Sequence, residues 1–168
     1  MTIAELGSIG ELLGSIAVFI SLIYLAFQIR SSTDAARTST YQSVVSDFSA
    51  LNQSMSSTPD LSLMFVNALE DFSSLSADQK ARVSQLFFMT FRNFENMYYQ
   101  NRKGYLEEDL WIGWKRLMLT YYARPGFQTW WSIREDVYSQ AFAEFLRTEK
   151  IDKPVKTYYE VTQLQHPQ

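Results

Sequence analysis

With 168 residues, a formal net charge of -3, no cysteine and a single histidine, the chain has room for one ordinary domain beside an anchor and no basic stripe to neutralise a nucleic acid. The missing cysteine excludes disulfides, thiolate nucleophiles and cysteine-based zinc or iron-sulfur sites. Aromatic residues make up 15% of the chain and are concentrated after residue 85, so a bulky, ring-rich core is expected.

The most apolar stretch, Leu12 to Ile29, carries no formal charge between Glu11 and Arg30. At the rise of an α-helix its eighteen residues span about 27 Å, close to the hydrocarbon thickness of a bilayer. Its N-terminal flank holds Glu5 and Glu11 and no Lys or Arg, unlike a cleaved signal peptide, so a retained anchor is expected. Arg30 and Arg37 follow the span. The positive-inside rule then puts the N-terminus outside and residues 30 onward in the cytoplasm. Gly7, Gly10, Gly14 and Ser21 fall on one side of this helix, a small-residue face of the kind that lets membrane helices approach closely.

No Gly or Pro occurs between Arg30 and Ser57, and Val44, Val45, Phe48, Leu51 and Met55 recur at helical spacing, which predicts that the anchor continues as one helix to about residue 55. Thr58-Pro59-Asp60 reads as the start of a second helix, Thr58 capping, with Leu61, Met64, Phe65, Ala68 and Leu69 on its inner face. Ser76 and Gln79 form a capping box that opens the longest soluble helix, which carries Val83, Phe87, Phe91, Phe94 and Tyr98 inward and ends before Gly104. Glu107, Glu108 and Asp109 precede a helix expected to turn Leu110, Trp114, Leu117, Met118 and Tyr121 inward, stopped by Arg124-Pro125-Gly126. A segment with Trp130 and Trp131 follows, then a last helix capped by Ser139 with Phe142, Phe145 and Leu146. The expected architecture is all-α: residues 1–30 as N-terminal segment and transmembrane helix, 31–150 as a helical soluble bundle, and 151–168 as an extended tail.

Leu22-Ile23-Tyr24-Leu25-Ala26-Phe27-Gln28-Ile29-Arg30, followed by Thr33 and Arg37, resembles the opening of an uncharacterised bacterial family of single-span membrane proteins with an L-I-Y-L-A-x-Q-I-R signature. Arg92-x-Phe94-Glu95-Asn96, Tyr98-Tyr99-Gln100, Gly104, Leu110-Trp111, Pro125-Gly126 and Trp130-Trp131 look like further landmarks of that group, over roughly residues 8 to 148. The resemblance implies one membrane span and a helical cytoplasmic domain, and no activity. Ser31-Ser32 stands where Gln-Asn is common in the group, and the tail is not a feature of it.

Nucleophilic catalysis needs a nucleophile beside an oriented base. His166 near the end of the chain cannot serve a Ser-His arrangement, and there is no Glu-x-x-His pair, no G-x-G-x-x-G and no Walker A loop. A noncatalytic protein without cofactor or metal is therefore expected, an accessory or stabilising subunit that meets the lipid bilayer and other integral membrane subunits, or further copies of itself, and not nucleic acid. The polar candidates are Arg92 and Glu95 at i,i+3. An alternative reading gives Arg92 or Arg124 an anionic or lipid ligand in an aromatic pocket built from Phe91, Tyr98, Trp114, Trp130 and Trp131. A plain ion pair at the core edge is the simpler account of Arg92 and Glu95. Because neighbours on a helix diverge by about 100°, core packing is expected for at least one of Trp130 and Trp131, and the second is left open between the core and a face toward solvent, a partner or the membrane surface.

Overall fold

The computed structural model describes residues 3–58 and 60–156. Within them the chain is all-helical: α1 (Ile3–Ser57), α2 (Leu61–Glu70), α3 (Ala77–Arg102), α4 (Glu108–Tyr122), α5 (Pro125–Arg134) and α6 (Gln140–Thr148), with a short 3-10 turn at Glu135–Val137. No described residue lies in a strand. The chain divides into two compact units, Met1–Ser39 and Thr40–Gln168, and α1 contributes to both.

In the first unit α1 is long and apolar enough to cross a membrane, and no side chain of its most apolar stretch is covered by protein. Leu12, Phe19, Ile20, Leu22 and Phe27 are all exposed. The hydroxyls of Ser15, Ser21 and Thr33 donate to the carbonyls of Leu12, Ala17 and Ile29 at 2.8 to 2.9 Å, so these polar groups are satisfied inside the helix and need no water. A Cβ on Gly7, Gly10 or Gly14 would meet nothing within 4 Å. The small-residue side of the helix is open.

The second unit begins with the remainder of α1, where Val44, Phe48 and Leu51 are buried and Tyr41 and Met55 are packed against the core. Val45, expected on this face, is instead exposed, because it lies 100° round the helix from Val44. The start of α2 also differs from expectation. Asp60, not Thr58, occupies the N-cap position, in the left-handed region with φ 64° and without a side-chain cap. Thr58 instead supplies the carbonyl that accepts from the Leu61 amide at 3.3 Å. Pro59 lies outside the described residues. Ser62 closes the corner from the other side, its hydroxyl donating to the Met55 carbonyl at 3.0 Å.

α3 starts and stops as its sequence predicts. The Ser76 hydroxyl accepts from the Gln79 amide at 3.3 Å and the Gln79 side chain accepts from the Ser76 amide at 3.0 Å, a closed capping box. At the other end the Tyr105 amide reaches the Gln100 carbonyl and the Gly104 amide the Asn101 carbonyl, a Schellman motif that needs its positive φ of 73° at Gly104. Between these ends Val83, Phe87, Phe91 and Phe94 are buried, and Tyr98 is partly so.

α4 is rotated from its expected setting: Trp111 and Leu119 join Met118 and Tyr121 in the core, while Leu110, Trp114 and Leu117 are only partly buried. Pro125 does more than end α4. It sits in the first turn of α5, where its lost amide would be unbonded anyway. α5 then lays Phe127 at the centre of the unit, stacked on Phe91 at 4.0 Å and edge-on to Phe87 at 5.1 Å. Phe87, Phe91, Phe94, Phe127, Trp130 and Phe142 are all at most 1% exposed; each contributes roughly 1.5–3 kcal/mol of burial, before the ordering entropy that opposes it. Ser139 caps α6 as expected, accepting from the Phe142 amide.

After α6 the chain takes a non-helical course as far as Lys156 and lies along α4. Lys115 pairs with Glu149 at 3.0 Å, Arg116 with Asp152 at 2.8 Å, and the Val155 amide donates to the Thr120 hydroxyl at 3.2 Å. The rest of the expected extended tail, residues 157–168, lies outside the described residues.

Candidate functional site

Arg92 and Glu95 stand one turn apart on α3, where the chain returning from α5 to α6 passes over them. Their side chains form an ion pair through Nη1 and Oε2. Glu95 uses its other oxygen to accept from the Ser139 amide at 2.7 Å, and Arg92 donates through Nη2 to the Val137 carbonyl at 2.8 Å. The guanidinium also lies over the rings of Phe88 and Tyr138, at 5.2 and 4.8 Å from their centroids. The pair thus fastens the residues before α6 to the middle of α3. It is an ion pair at the edge of the core, as the simpler sequence account has it, and it is also a latch between residues over forty positions apart.

Tyr138 completes the latch. Its ring packs on Trp131 at 4.9 Å and its hydroxyl donates to the Phe88 carbonyl at 3.2 Å. Burial pushes that hydroxyl well above the ordinary tyrosine range, with Glu95 adding to the rise against the opposite pull of Arg92 and Arg134. The group therefore stays protonated and able to donate at any ordinary pH. Beside the latch Arg92, Asn96, Tyr98, Arg102 and Ser139 line an open depression of about 530 Å³.

The remaining sequence candidates do not converge on it. Arg124 pairs with Glu70 at 3.5 Å, tying the start of α5 to the end of α2, and borders a different depression with Ile151 and Pro154. Trp130 and Trp131 are both buried, at 1% and 3% exposure, so core packing extends to both and neither faces outward. Burial of both has a physical cause: α5 is covered on two sides, by Phe87 against Trp130 and by Tyr122 and Tyr138 against Trp131. The Trp131 indole donates to Glu135 at 3.1 Å, whereas the buried Trp130 nitrogen has no hydrogen-bond partner in the structure.

Nor do the rings assigned to an aromatic pocket share one. Phe91 and Trp130 are core residues, Tyr98 lines the depression beside Arg92, and Trp114 lines a crevice against α1. Among the described residues no three His, Asp or Glu side chains are grouped to hold a metal ion. Gly7, Gly10, Gly14 and Ser21 share one open side of α1 in the first unit.

Several contacts that shape these surfaces carry no signal in the sequence. Ser139 is legible as a cap but not as a partner of Glu95, Val137 and Tyr138 matter because they lie against α3, and Asp152 because it meets Arg116. Trp111 stands in the Leu110-Trp111 pair but on the wrong side of the predicted stripe. Compared with family models, curated proteins and solved structures, the chain matches none.

Proposed function

We propose that this chain is a noncatalytic single-pass membrane protein that serves as an accessory or stabilising subunit of a larger assembly in the bacterial cytoplasmic membrane, with its N-terminus outside and the helical unit in the cytoplasm. The observation that carries the reading is the uncovered apolar surface of α1. Large side chains from Leu12 to Ile29 are exposed on every side, Phe27 to 70%, a surface that water tolerates poorly and lipid or a second membrane helix accepts. Open small residues at Gly7, Gly10, Gly14 and Ser21 support close approach of such a helix, and the L-I-Y-L-A-x-Q-I-R resemblance supports the same placement. The orientation rests on Arg30 and Arg37.

The side chains that looked most suited to chemistry are engaged in joints of the fold: Arg92 and Glu95 in the latch, Arg124 with Glu70, Trp131 with Glu135. This favours a binding role over a reaction. It also makes the accessory-subunit reading preferable to a ligand sensor, whose proposed walls line separate surfaces.

Because the chain has no cysteine, introduced thiols report alone. Gly14→Cys and Ser21→Cys on the small-residue side, and Ile16→Cys and Ile23→Cys opposite, are to be crosslinked in intact membranes. A single integral membrane protein trapped in fixed proportion from the first pair and not the second is the expected result. Equal trapping from both sides, or a lone monomer in mild detergent, counts against the assembly. An impermeant maleimide should label Ser8→Cys in intact spheroplasts and Ser32→Cys only after lysis; the reverse pattern inverts the orientation.

A further inference from the structure

The walls of the open depression beside the latch have spent their acceptors and kept their donors. Glu95 uses one carboxylate oxygen on Arg92 and the other on the Ser139 amide, and the Tyr98 hydroxyl donates to the Ala141 carbonyl at 3.2 Å. Asn96 uses its oxygen as well, accepting from the Gln100 side chain at 3.3 Å. Its amide nitrogen is left over. The Ser139 hydroxyl accepts from the Phe142 amide and keeps its proton to donate, and half-buried Asn93 has no hydrogen-bond partner among the described residues. Arg102 lines the same depression, its guanidinium over the Tyr98 ring at 5.6 Å from the centroid. Lys103 stands over the adjacent Tyr99 ring at 5.6 Å, and neither cation meets a carboxylate among the described residues.

We propose that this depression binds a phosphate group, carried by a small soluble ester or by a lipid head group. Charge selects an anion: Glu95 is balanced by Arg92, so Arg102 is the excess charge of the lining, and Lys103 adds to it from the rim. Donor placement selects phosphate over carboxylate. The guanidinium fork of Arg102 comes from the last turn of α3, the Asn96 amide from an earlier turn and the Ser139 hydroxyl from the opposite wall, an arrangement that suits the several oxygens of a tetrahedral group better than the flat pair of a carboxylate. Size argues that the phosphate is part of something larger. The lining runs along α3 from Arg92 to Arg102, about 15 Å at the helical rise, and its volume of about 530 Å³ falls within the roughly 300–1,000 Å³ of small-molecule sites. With the phosphate held at Arg102, the organic part lies toward Asn93 or on the ring of Tyr99, which is 55% exposed. The bonds of the latch stay as they are, and the site needs neither the anchor nor a second subunit.

The test uses the full chain in a neutral detergent with one thiol at Tyr99→Cys, at the rim of the depression, and Gln85→Cys on the exposed side of α3 as the reference site. Maleimide labelling is followed as phenyl phosphate is added at constant ionic strength. The expected result is labelling roughly fivefold slower at residue 99 and unchanged at residue 85, with the half-protecting concentration raised roughly tenfold by Arg102→Gln. Asn96→Asp, which keeps the shape of the side chain and adds a repelling charge, is expected to weaken protection in the same way. Protection by phenyl phosphate assigns the site to soluble phosphate esters. Protection only by phosphatidylglycerol in mixed micelles, absent with phosphatidylcholine and lost in both variants, assigns it to a lipid head group. No protection from either probe overturns the proposal, as does protection that survives both substitutions or that benzoate provides equally well.

Discussion

Gly126 has backbone where a side chain would begin. A Cβ there would stand 2.1 Å from the Ala68 carbonyl oxygen, 2.7 Å from the Phe72 nitrogen and 2.8 Å from that of Asp71, none of which can swing aside as a side-chain tip would. Gly126→Ala must therefore push α5 away from the end of α2 and disturb Phe127, Trp130 and Trp131 behind it. We expect a loss of about 3 kcal/mol, or failure to accumulate folded protein, read from the urea midpoint. Gly113→Ala is the counterpart: its Cβ meets nothing, and replacing a mid-helix glycine should raise stability by roughly 0.5–1 kcal/mol. Glu95 tests the latch in the same way. Its carboxylate holds the Ser139 amide and Arg92 at once, and Glu95→Ala leaves both without that partner, which should cost about 1–3 kcal/mol in the same titration. Loss of half that size or less would mean that water takes over the Ser139 amide without penalty.

The elements divide by how local their causes are. Ser76 and Gln79, Gly104 after Arg102, and Ser139 before α6 each act on amides or carbonyls within a few positions, and each is readable from sequence. Ser76→Ala should accordingly lower stability by about 1 kcal/mol, with the loss in hydrogen-exchange protection confined to the first turn of α3. Arg92 and Glu95 are readable as a pair for the same reason. Their partners are not, because Val137 and Ser139 come into reach only through the path of α5. The burial of both tryptophans depends likewise on rings from α3 and α4, and the setting of α4 on which side the returning chain covers. That returning segment has its own pH signature. The hydrogen bond from Arg116, with a further one from the Lys153 amide, holds the Asp152 carboxyl down at about 2, below its ordinary 3.8. A depressed carboxyl stabilises the state that holds it above its ordinary pKa, and the effect is lost as pH falls through the lower value. The segment should thus stay fastened through neutral pH and release between about pH 4 and 2. At neutral pH Asp152→Asn should mimic the release, and trypsin should then cut faster after Lys150. Unchanged cleavage would leave Thr120 and Val155 as the sufficient fastening.

At the scale of the whole molecule, the two units differ in what they do with their apolar residues. From Thr40 onward the large rings cover one another, whereas the stretch from Leu12 to Ile29 presents Leu, Ile, Val and Phe outward on every side. Eleven such residues, at about 0.3–0.6 kcal/mol each on an insertion scale, favour the bilayer by only a few kcal/mol once the polar Ser15, Ser21 and Gln28 are set against them. A single arginine at the centre costs about 2.5–3.5 kcal/mol on that scale, comparable to the whole margin. Ile20 stands at that centre and is 61% exposed, so Ile20→Arg disturbs no packing within the chain. The variant should move much of the protein out of the carbonate-resistant membrane fraction. The same arginine at Gln42, exposed on α1 beyond the span, should leave the fraction unchanged. If Ile20→Arg remains fully in the membrane while the small-residue side crosslinks as before, then a partner helix rather than lipid surrounds the centre of the span and supplies the counter-charge. Loss of the crosslink together with the membrane fraction would instead tie assembly to insertion of this one helix.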